Sequence, residues 1–297
     1  MLSLSANCLK RPKVGDHIHD SVFLSVMVCC YNSEKYIRET LESIANQTYR
    51  NWEVVAINDG STDNTEHILL EYKRNGMPIT YFRQKNQGFA AARNKAMELA
   101  KGQWIAIIDH DDVCLPKRFE IQAAHIRENP TAKLFFANTI HFHDDRIEIR
   151  QQFDRLNPCK LNLTAGKAMN NLLAFNCFID TESVVFNKQA AMSVGGFDVS
   201  YKYVVDYDFF LRMGLVVNFF CSEELVSKWR VHNDQLTQTI EPIIFKEMKQ
   251  IFYKYFCLNG VTNKTRFKMI LKALHYILYK IYNLLFRGAC CHFQDTL

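Results

Sequence analysis

The first legible pattern is a series of short apolar runs, each closed by polar, turn-forming residues. Ser25-Val-Met-Val-Cys-Cys30 is β-rich and stops at Tyr31-Asn32-Ser33, which predicts a buried strand running into a loop that caps the next helix. From Glu34 to Ala45 the apolar positions Tyr36, Ile37, Leu41, Ile44 and Ala45 switch to helical spacing. Trp52-Glu-Val-Val-Ala-Ile57 predicts a second buried strand, ending at Asn58-Asp59-Gly60-Ser61. A helix over about Thr65 to Asn75, a strand at Ile79 to Arg83, a helix around Ala90 to Lys101 and a strand at Trp104 to Ile108 continue the alternation. Such repeats imply an α/β fold with a largely parallel sheet, and ligands of such sheets sit beyond the carboxyl ends of the strands.

The middle of the chain is less regular. Its pattern predicts a strand at Lys133 to Phe142, a loop near Pro158, a helix from Thr164 to Leu173 and a strand around Ser183 to Asn187. After Gly195-Gly196-Phe197-Asp198, the run Tyr207 to Met213 reads as a buried helix and Val216 to Cys221 as a strand.

Composition narrows the function. A chain of 297 residues, 48% hydrophobic, suffices for one large α/β domain or two modest ones. Its 36 basic and 31 acidic residues leave a net charge of +5, too small for a dedicated nucleic-acid binder. The ten cysteines show no C-x-x-C pair, and the pattern predicts reduced thiols and a cytoplasmic protein. Residues Met1 to Asp20 lack a secretory signal, and no uninterrupted apolar stretch is long enough to predict a membrane span.

The predicted sheet has three strand ends that matter: Tyr31-Asn32, Asp59-Gly60 and Asp109-His110-Asp111-Asp112. A nucleoside diphosphate brings about two negative charges, yet the chain has neither of the glycine-rich signatures that hold phosphates with backbone amides. Mg²⁺ or Mn²⁺, bound through one or two carboxylates and the phosphates themselves, is the chemical substitute, and Asp109-x-Asp111-Asp112 supplies those carboxylates. An acidic triplet alone also suits a solvated loop, and Asp59 alone suits a turn.

The ordered set Tyr31-Asn32, Asn58-Asp59-Gly60-Ser61-x-Asp63, Asn86-x-Gly88-x-x-x-Ala92-Arg93-Asn94, Asp109-x-Asp111-Asp112, Gly195-Gly196-Phe197-Asp198, Asp206-x-Asp208 with Arg212, and Arg230-x-His232 resembles glycosyltransferase family 2. The resemblance covers roughly residues 23 to 238. It implies a GT-A fold that transfers a sugar, with inversion, from a nucleoside-diphosphate donor, UDP before others, to a hydroxyl of a glycan or lipid-linked acceptor. It also implies roles: Asp59 and the Tyr31-Asn32 region on the nucleobase, Asp109 on the ribose, Asp111 and His232 on the metal. Arg93 resembles a donor-contacting arginine, its alternative being a helix surface charge, and Arg83 is a further candidate for the base. Asp206 matches the general base of the family's Glu-Asp pair, although its neighbour here is Val205. That departure favours the alternative of a nucleotide-sugar-binding protein of the same fold without turnover. Asp208 reads as an intrahelical partner of Arg212; His232 as a ligand or a structural histidine; Arg230 as phosphate-facing or a surface charge.

These readings divide the chain into an N-terminal extension at 1–20, a GT-A domain at 21–238 with a nucleotide-binding half to 112 and an acceptor half beyond, and a helical tail at 239–297. In the tail, residues 266–287 place Lys268, Lys272, Tyr276, Lys280, Asn283 and Arg287 on one helical stripe, opposite Ile270, Leu274, Ile277, Leu278, Ile281 and Leu285. A cationic amphipathic helix suits an anionic membrane surface, here the inner face of the plasma membrane. The alternative is a helix packed on the catalytic body or on a second subunit in a homo-oligomer. His141-Phe-His143 is no zinc site on this reading, because an exposed strand edge explains it and no further ligands lie nearby in sequence.

Overall fold

The computed structural model describes residues 22–144, 146–232 and 241–285. Residues 1–21, with the N-terminal extension, residue 145, residues 233–240 and the tail from 286 onward lie outside the described residues.

The first half alternates as its pattern predicts: β1 (Leu24–Cys30), α1 (Ile37–Ala45), β2 (Trp52–Asn58), α2 (Thr65–Arg74), β3 (Ile79–Arg83), α3 (Phe89–Leu99) and β4 (Trp104–Ile107). β1 lies between β2 and β4, and all of these pairings, with β2 to β3, are parallel. Every residue of β1, β2 and β4 is buried, because both sheet faces are covered. The two-residue period separates the faces: Met27, Cys29, Val55, Ile57, Ile105 and Ile107 pack with Ala92 and Ala96 of α3. Val26, Val28, Val54 and Ala56 pack instead with Ile37 and Leu41 of α1 and Leu69 of α2.

The second half is β5 (Val113–Cys114), α4 (Arg118–Glu128), β6 (Ala132–His143), β7 (Glu148–Gln151), α5 (Lys167–Phe175), β8 (Val185–Asn187), α6 (Lys188–Ser193), α7 (Val205–Val216) and β9 (Asn218–Val231). One sheet runs β3-β2-β1-β4-β8-β6-β9-β5, with β7 on β6. β8 is antiparallel to both β4 and β6, so the sheet is parallel through its nucleotide-side half and mixed beyond it. β9 is much longer than the strand expected at 216–221. Its register with β6 jumps from Ser222 to Leu225, so Glu223 and Glu224 are accommodated as an irregularity and pairing resumes to Val231.

The tail forms α8 (Glu241–Phe256) and α9 (Asn263–Leu285). α9 packs on the end of α5 through its lysine edge: Lys268 sits 3.7 Å from the Phe175 ring centroid, and Lys272 Nζ donates to Leu173 O at 2.8 Å and Asn176 Oδ1 at 2.7 Å. Phe267, Ile270, Leu271 and Leu274 remain exposed on the helix. The stripe members from Tyr276 onward belong to a stretch whose side chains lie outside the described residues. Among the described residues no helix is long and apolar enough to cross a membrane.

Two expectations are corrected. Cys159 and Cys221 form a disulfide between the turn near Pro158 and β9, so the cysteines are not all reduced, and the cytoplasmic reading loses that support. His141 is buried, not on an exposed edge: its Nε2 lies 2.8 Å from Asp180 Oδ2.

Candidate functional site

The turns after β1 and β2 are laced together. Asp59 N donates to Cys30 O at 2.8 Å, Asn32 N donates to Ser61 Oγ at 3.0 Å, and Thr62 N donates to Asn32 Oδ1 at 2.9 Å. Asn32 takes a left-handed backbone (φ 50), which its short polar side chain tolerates. Asn32 therefore shapes the turn that presents Tyr31, which is 45% exposed at the rim.

Asp59 is buried at the same edge. Its Oδ1 accepts from Gln84 Nε2 at 2.8 Å and Gln87 N at 2.9 Å, and its Oδ2 from Gly88 N at 2.8 Å. A carboxylate has about four acceptor positions. Asp59 thus organises the loop from 84 to 88 and keeps one position for another donor. Gly60 is required here: a Cβ would lie 2.8 Å from Asn86 N, and its φ is +80. Between the turn after β2 and the segment that follows β3 opens a cavity of about 530 Å³ lined by Gly60, Arg83, Gln84, Lys85 and Asn86. Arg83 lines that cavity while its guanidinium pairs with Glu66 and donates to Ser61 O at 3.3 Å.

Arg93 is not a surface charge. It is 3% exposed, with Nη2 donating to Asp109 Oδ1 at 2.9 Å and Nη1 donating to Asp206 Oδ1. The rings of Phe89 and Phe197 flank the guanidinium. α3 carries Arg93 on its buried face, and Asn94 beside it fixes the Gly195-Gly196-Phe197 turn by accepting from Phe197 N at 2.8 Å and donating to Phe197 O at 2.7 Å. Two motifs far apart in sequence thus close around one ion-paired triad, Asp109-Arg93-Asp206. Burial opposes the charge on Arg93, but Asp206 and Asp109 hold its pKa above the ordinary value.

Asp206 is the second residue of α7, its side chain 28% exposed. Burial raises its pKa, Arg93 works against that rise, and Asp109 adds to it; the net direction is upward. Val205 turns into the hydrophobic core. The missing acidic neighbour is therefore a core position in this chain. Asp208 is fully buried and accepts from Arg212 Nε at 2.7 Å, one helical turn on.

Asp111 and His232 meet at 3.0 Å, Oδ2 to Nε2. Burial pushes the Asp111 carboxyl upward, but His232 and His110 outweigh it, and the net direction is downward. This keeps Asp111 ionised. Asp112 and Arg230 make the meeting happen. Arg230 N donates to Asp112 Oδ1 and Arg230 Nε to Asp111 O, both at 2.8 Å, which pins the end of β9 to the acidic turn. Arg230 is thus a buried brace, lying between the Tyr36 and Phe142 rings and paired with Glu39, and neither of its sequence readings describes it. Pattern reading also missed Gln84, Gln87 and the buried Glu182, whose carboxyl is pushed up first by burial and then by Asp180. The alternation around them carries no mark of a charged site.

A carboxylate and an imidazole on adjacent turns suit a divalent cation that takes its remaining ligands from phosphate and water. The Nδ1 atoms of His232 and His110 are buried with no hydrogen-bond partner among the described residues, so there is unfilled polar capacity at this point. The residues present fit the group.

Among solved structures the chain is similar to S. aureus TarS 1–349 in complex with UDP-GlcNAc, at 20% identity and a TM-score of 0.70, over 89% of this chain and 76% of that one. It is also similar to the mannosyltransferase PcManGT of Pyrobaculum calidifontis in complex with GDP-Man and Mn²⁺, at 20% identity and a TM-score of 0.64, over 91% and 74% of the two chains. These likenesses establish the GT-A fold. In sequence it is 30% identical over 245 residues to an uncharacterized glycosyltransferase of Methanocaldococcus jannaschii, covering 81% of this chain and 79% of the relative. It is 30% identical over 222 residues to one of Rickettsia typhi, covering 74% and 67%. Residues 25–193, more than half of the chain, match the family described as glycosyl transferase family 2, and the chain belongs to glycosyltransferase family 2.

Proposed function

We propose that this glycosyltransferase uses a nucleoside-diphosphate sugar, UDP-linked before others, and transfers it with inversion to a hydroxyl of a glycan or lipid-linked acceptor. The single observation that carries the reading is the Asp109-Arg93-Asp206 triad, which sets one exposed-edge carboxylate of α7 against the acidic turn after β4.

The nucleobase enters the cavity beside Asp59, Gly60 and Arg83, with Tyr31 over its rim and Asn32 holding that rim in shape. Asp109 takes the ribose with the oxygen that Arg93 leaves free. Asp111 and His232 would hold Mn²⁺ or Mg²⁺, which supplies charge neutralisation for the diphosphate leaving group when bound. Asp206 accepts the proton of the acceptor hydroxyl, and Arg93 fixes the orientation of its carboxylate. A pKa raised above the ordinary aspartate value makes Asp206 a better base than an exposed aspartate. Attack from the Asp206 side, opposite the diphosphate, inverts the anomeric centre.

UDP ranks first because TarS has been solved with UDP and with UDP-GlcNAc; the GDP-Man and Mn²⁺ in PcManGT make GDP-sugars the second set to try. The exposed Phe267, Ile270, Leu271 and Leu274, beside the exposed Lys264, are the face of α9 we assign to an anionic membrane surface carrying the acceptor. Co-sedimentation with phosphatidylserine vesicles tests that part, and binding that survives Leu271→Asp with Leu274→Asp contradicts it.

The donor is tested by nucleotide release from a panel of UDP-, GDP- and dTDP-sugars with and without Mn²⁺. Metal-dependent release from one nucleotide class is expected. Release from none of them, or release indifferent to chelation, contradicts the proposal.

A further inference from the structure

α8 was expected to belong to a separate tail, yet one face of it grips the start of α7. Glu247 is 7% exposed and accepts three backbone hydrogen bonds, from Lys202 N and Tyr203 N at 2.9 Å and from Val204 N at 3.1 Å. Val204 is the N-cap residue of α7 and supplies no side-chain cap of its own. The first amides of a helix lack intrahelical partners, and a carboxylate at that end is held by both the hydrogen bonds and the helix dipole. Glu247 provides this from a different element.

Two turns along the same face of α8, Lys254 Nζ donates to Asp208 Oδ1 at 2.7 Å. Asp208 is fully buried, and its other oxygen takes Arg212. Ile251 lies between Glu247 and Lys254 at helical spacing and is buried with Tyr255. Asp206 stands between the two anchored points, two residues beyond Val204 and two before Asp208. Its backbone position is therefore set by α8 from one side, while Arg93 sets its carboxylate from the other.

We infer that Glu247 is a positioning residue for Asp206, and that α8 belongs to the catalytic machinery and is not an appendage. The inference rests on the reading of Asp206 as the base. Losing the carboxylate frees three amides at the entry to α7 and lets the first turn fray, which moves Asp206 by a fraction of a turn. Displacements of that size cost up to about a hundredfold in rate.

The experiment uses the full chain with Glu247→Ala, Glu247→Gln and Asp206→Asn. Turnover is read as nucleotide release from the best donor of the UDP-, GDP- and dTDP-sugar panel, with UDP binding by calorimetry and amide exchange along α7. The expected result is a fall in kcat of about tenfold or more for Glu247→Ala and a smaller one for Glu247→Gln, with donor KM and UDP affinity within about twofold of the parent. Exchange should rise at 202–206 and stay unchanged in β1, β2 and β4. Wild-type kcat in Glu247→Ala, or unchanged exchange at 202–206 in Glu247→Gln, overturns the inference. So does a loss of UDP affinity that matches the loss of kcat, which is what general destabilisation gives. If Glu247→Ala does not fold, Glu247→Gln carries the same comparisons. Normal turnover in Asp206→Asn sinks the base assignment itself, whereas an inactive Asp206→Asn beside a fully active Glu247→Ala sinks only the role of Glu247.

Discussion

His232 Nε2 lies 3.0 Å from Asp111 Oδ2, although 121 residues separate them in sequence. Asp112 and Arg230 hold the two segments together, so the pair is built by a buried hydrogen-bond network and is not a chance surface contact. Asp111→Asn and His232→Ala should each weaken Mn²⁺-dependent UDP binding by about 10- to 100-fold. Calorimetry with UDP, with Mn²⁺ and with chelator, measures it. Equal UDP affinity in both conditions for the parent protein would contradict the metal assignment.

Arg93 neutralises two carboxylates from a nearly inaccessible position. Removing one partner of a buried ion pair leaves uncompensated charge, at a cost of about 3–5 kcal/mol. Arg93→Met should lose about that much stability, read as a lower urea midpoint at neutral pH. Arg93→Lys keeps the charge but cannot reach both aspartates with a planar fork, so an intermediate loss is expected. A parent-like midpoint for Arg93→Met would contradict the triad.

The pH dependence follows from the direction at Asp206. The base works ionised, so turnover rises with pH through its folded pKa. Burial raises that pKa above the ordinary 3.8, and Arg93 opposes the rise. The acidic limb of kcat should therefore stand above the ordinary aspartate value in the parent and move further toward alkaline pH in Arg93→Lys, where the pairing is weaker. A limb at the ordinary aspartate value, or a shift toward acid, would contradict the assignment.

Much of this was legible in sequence because buried parallel strands leave near-continuous apolar runs, and the turns that close them carry the carboxylates. Asp59, Asp109 and Asp111 were found in that way. Asp206 and His232 required a resemblance, since an aspartate at the start of a buried helix and a histidine beyond the unpredicted reach of β9 stand at no strand end that the alternation reveals. For Arg93 the surface-charge alternative fails, and its pairing with Asp109 and Asp206 is invisible in sequence because only the fold brings the two aspartates to it. The reach of β9 to Val231 was hidden by Glu223 and Glu224, which interrupt the apolar pattern where the register jumps. The grip of α8 on α7 depends on Glu247, whose sequence neighbours give no hint that it faces inward.

The central claim is that a nucleotide sugar bound beside Asp111 is attacked by a hydroxyl that Asp206 deprotonates. Its most direct test is Asp206→Asn assayed in parallel for UDP affinity with Mn²⁺ and for nucleotide release from the preferred donor. The account predicts UDP affinity close to the parent and turnover lowered by about a hundredfold or more, the scale of losing a general base. Unchanged turnover would contradict it.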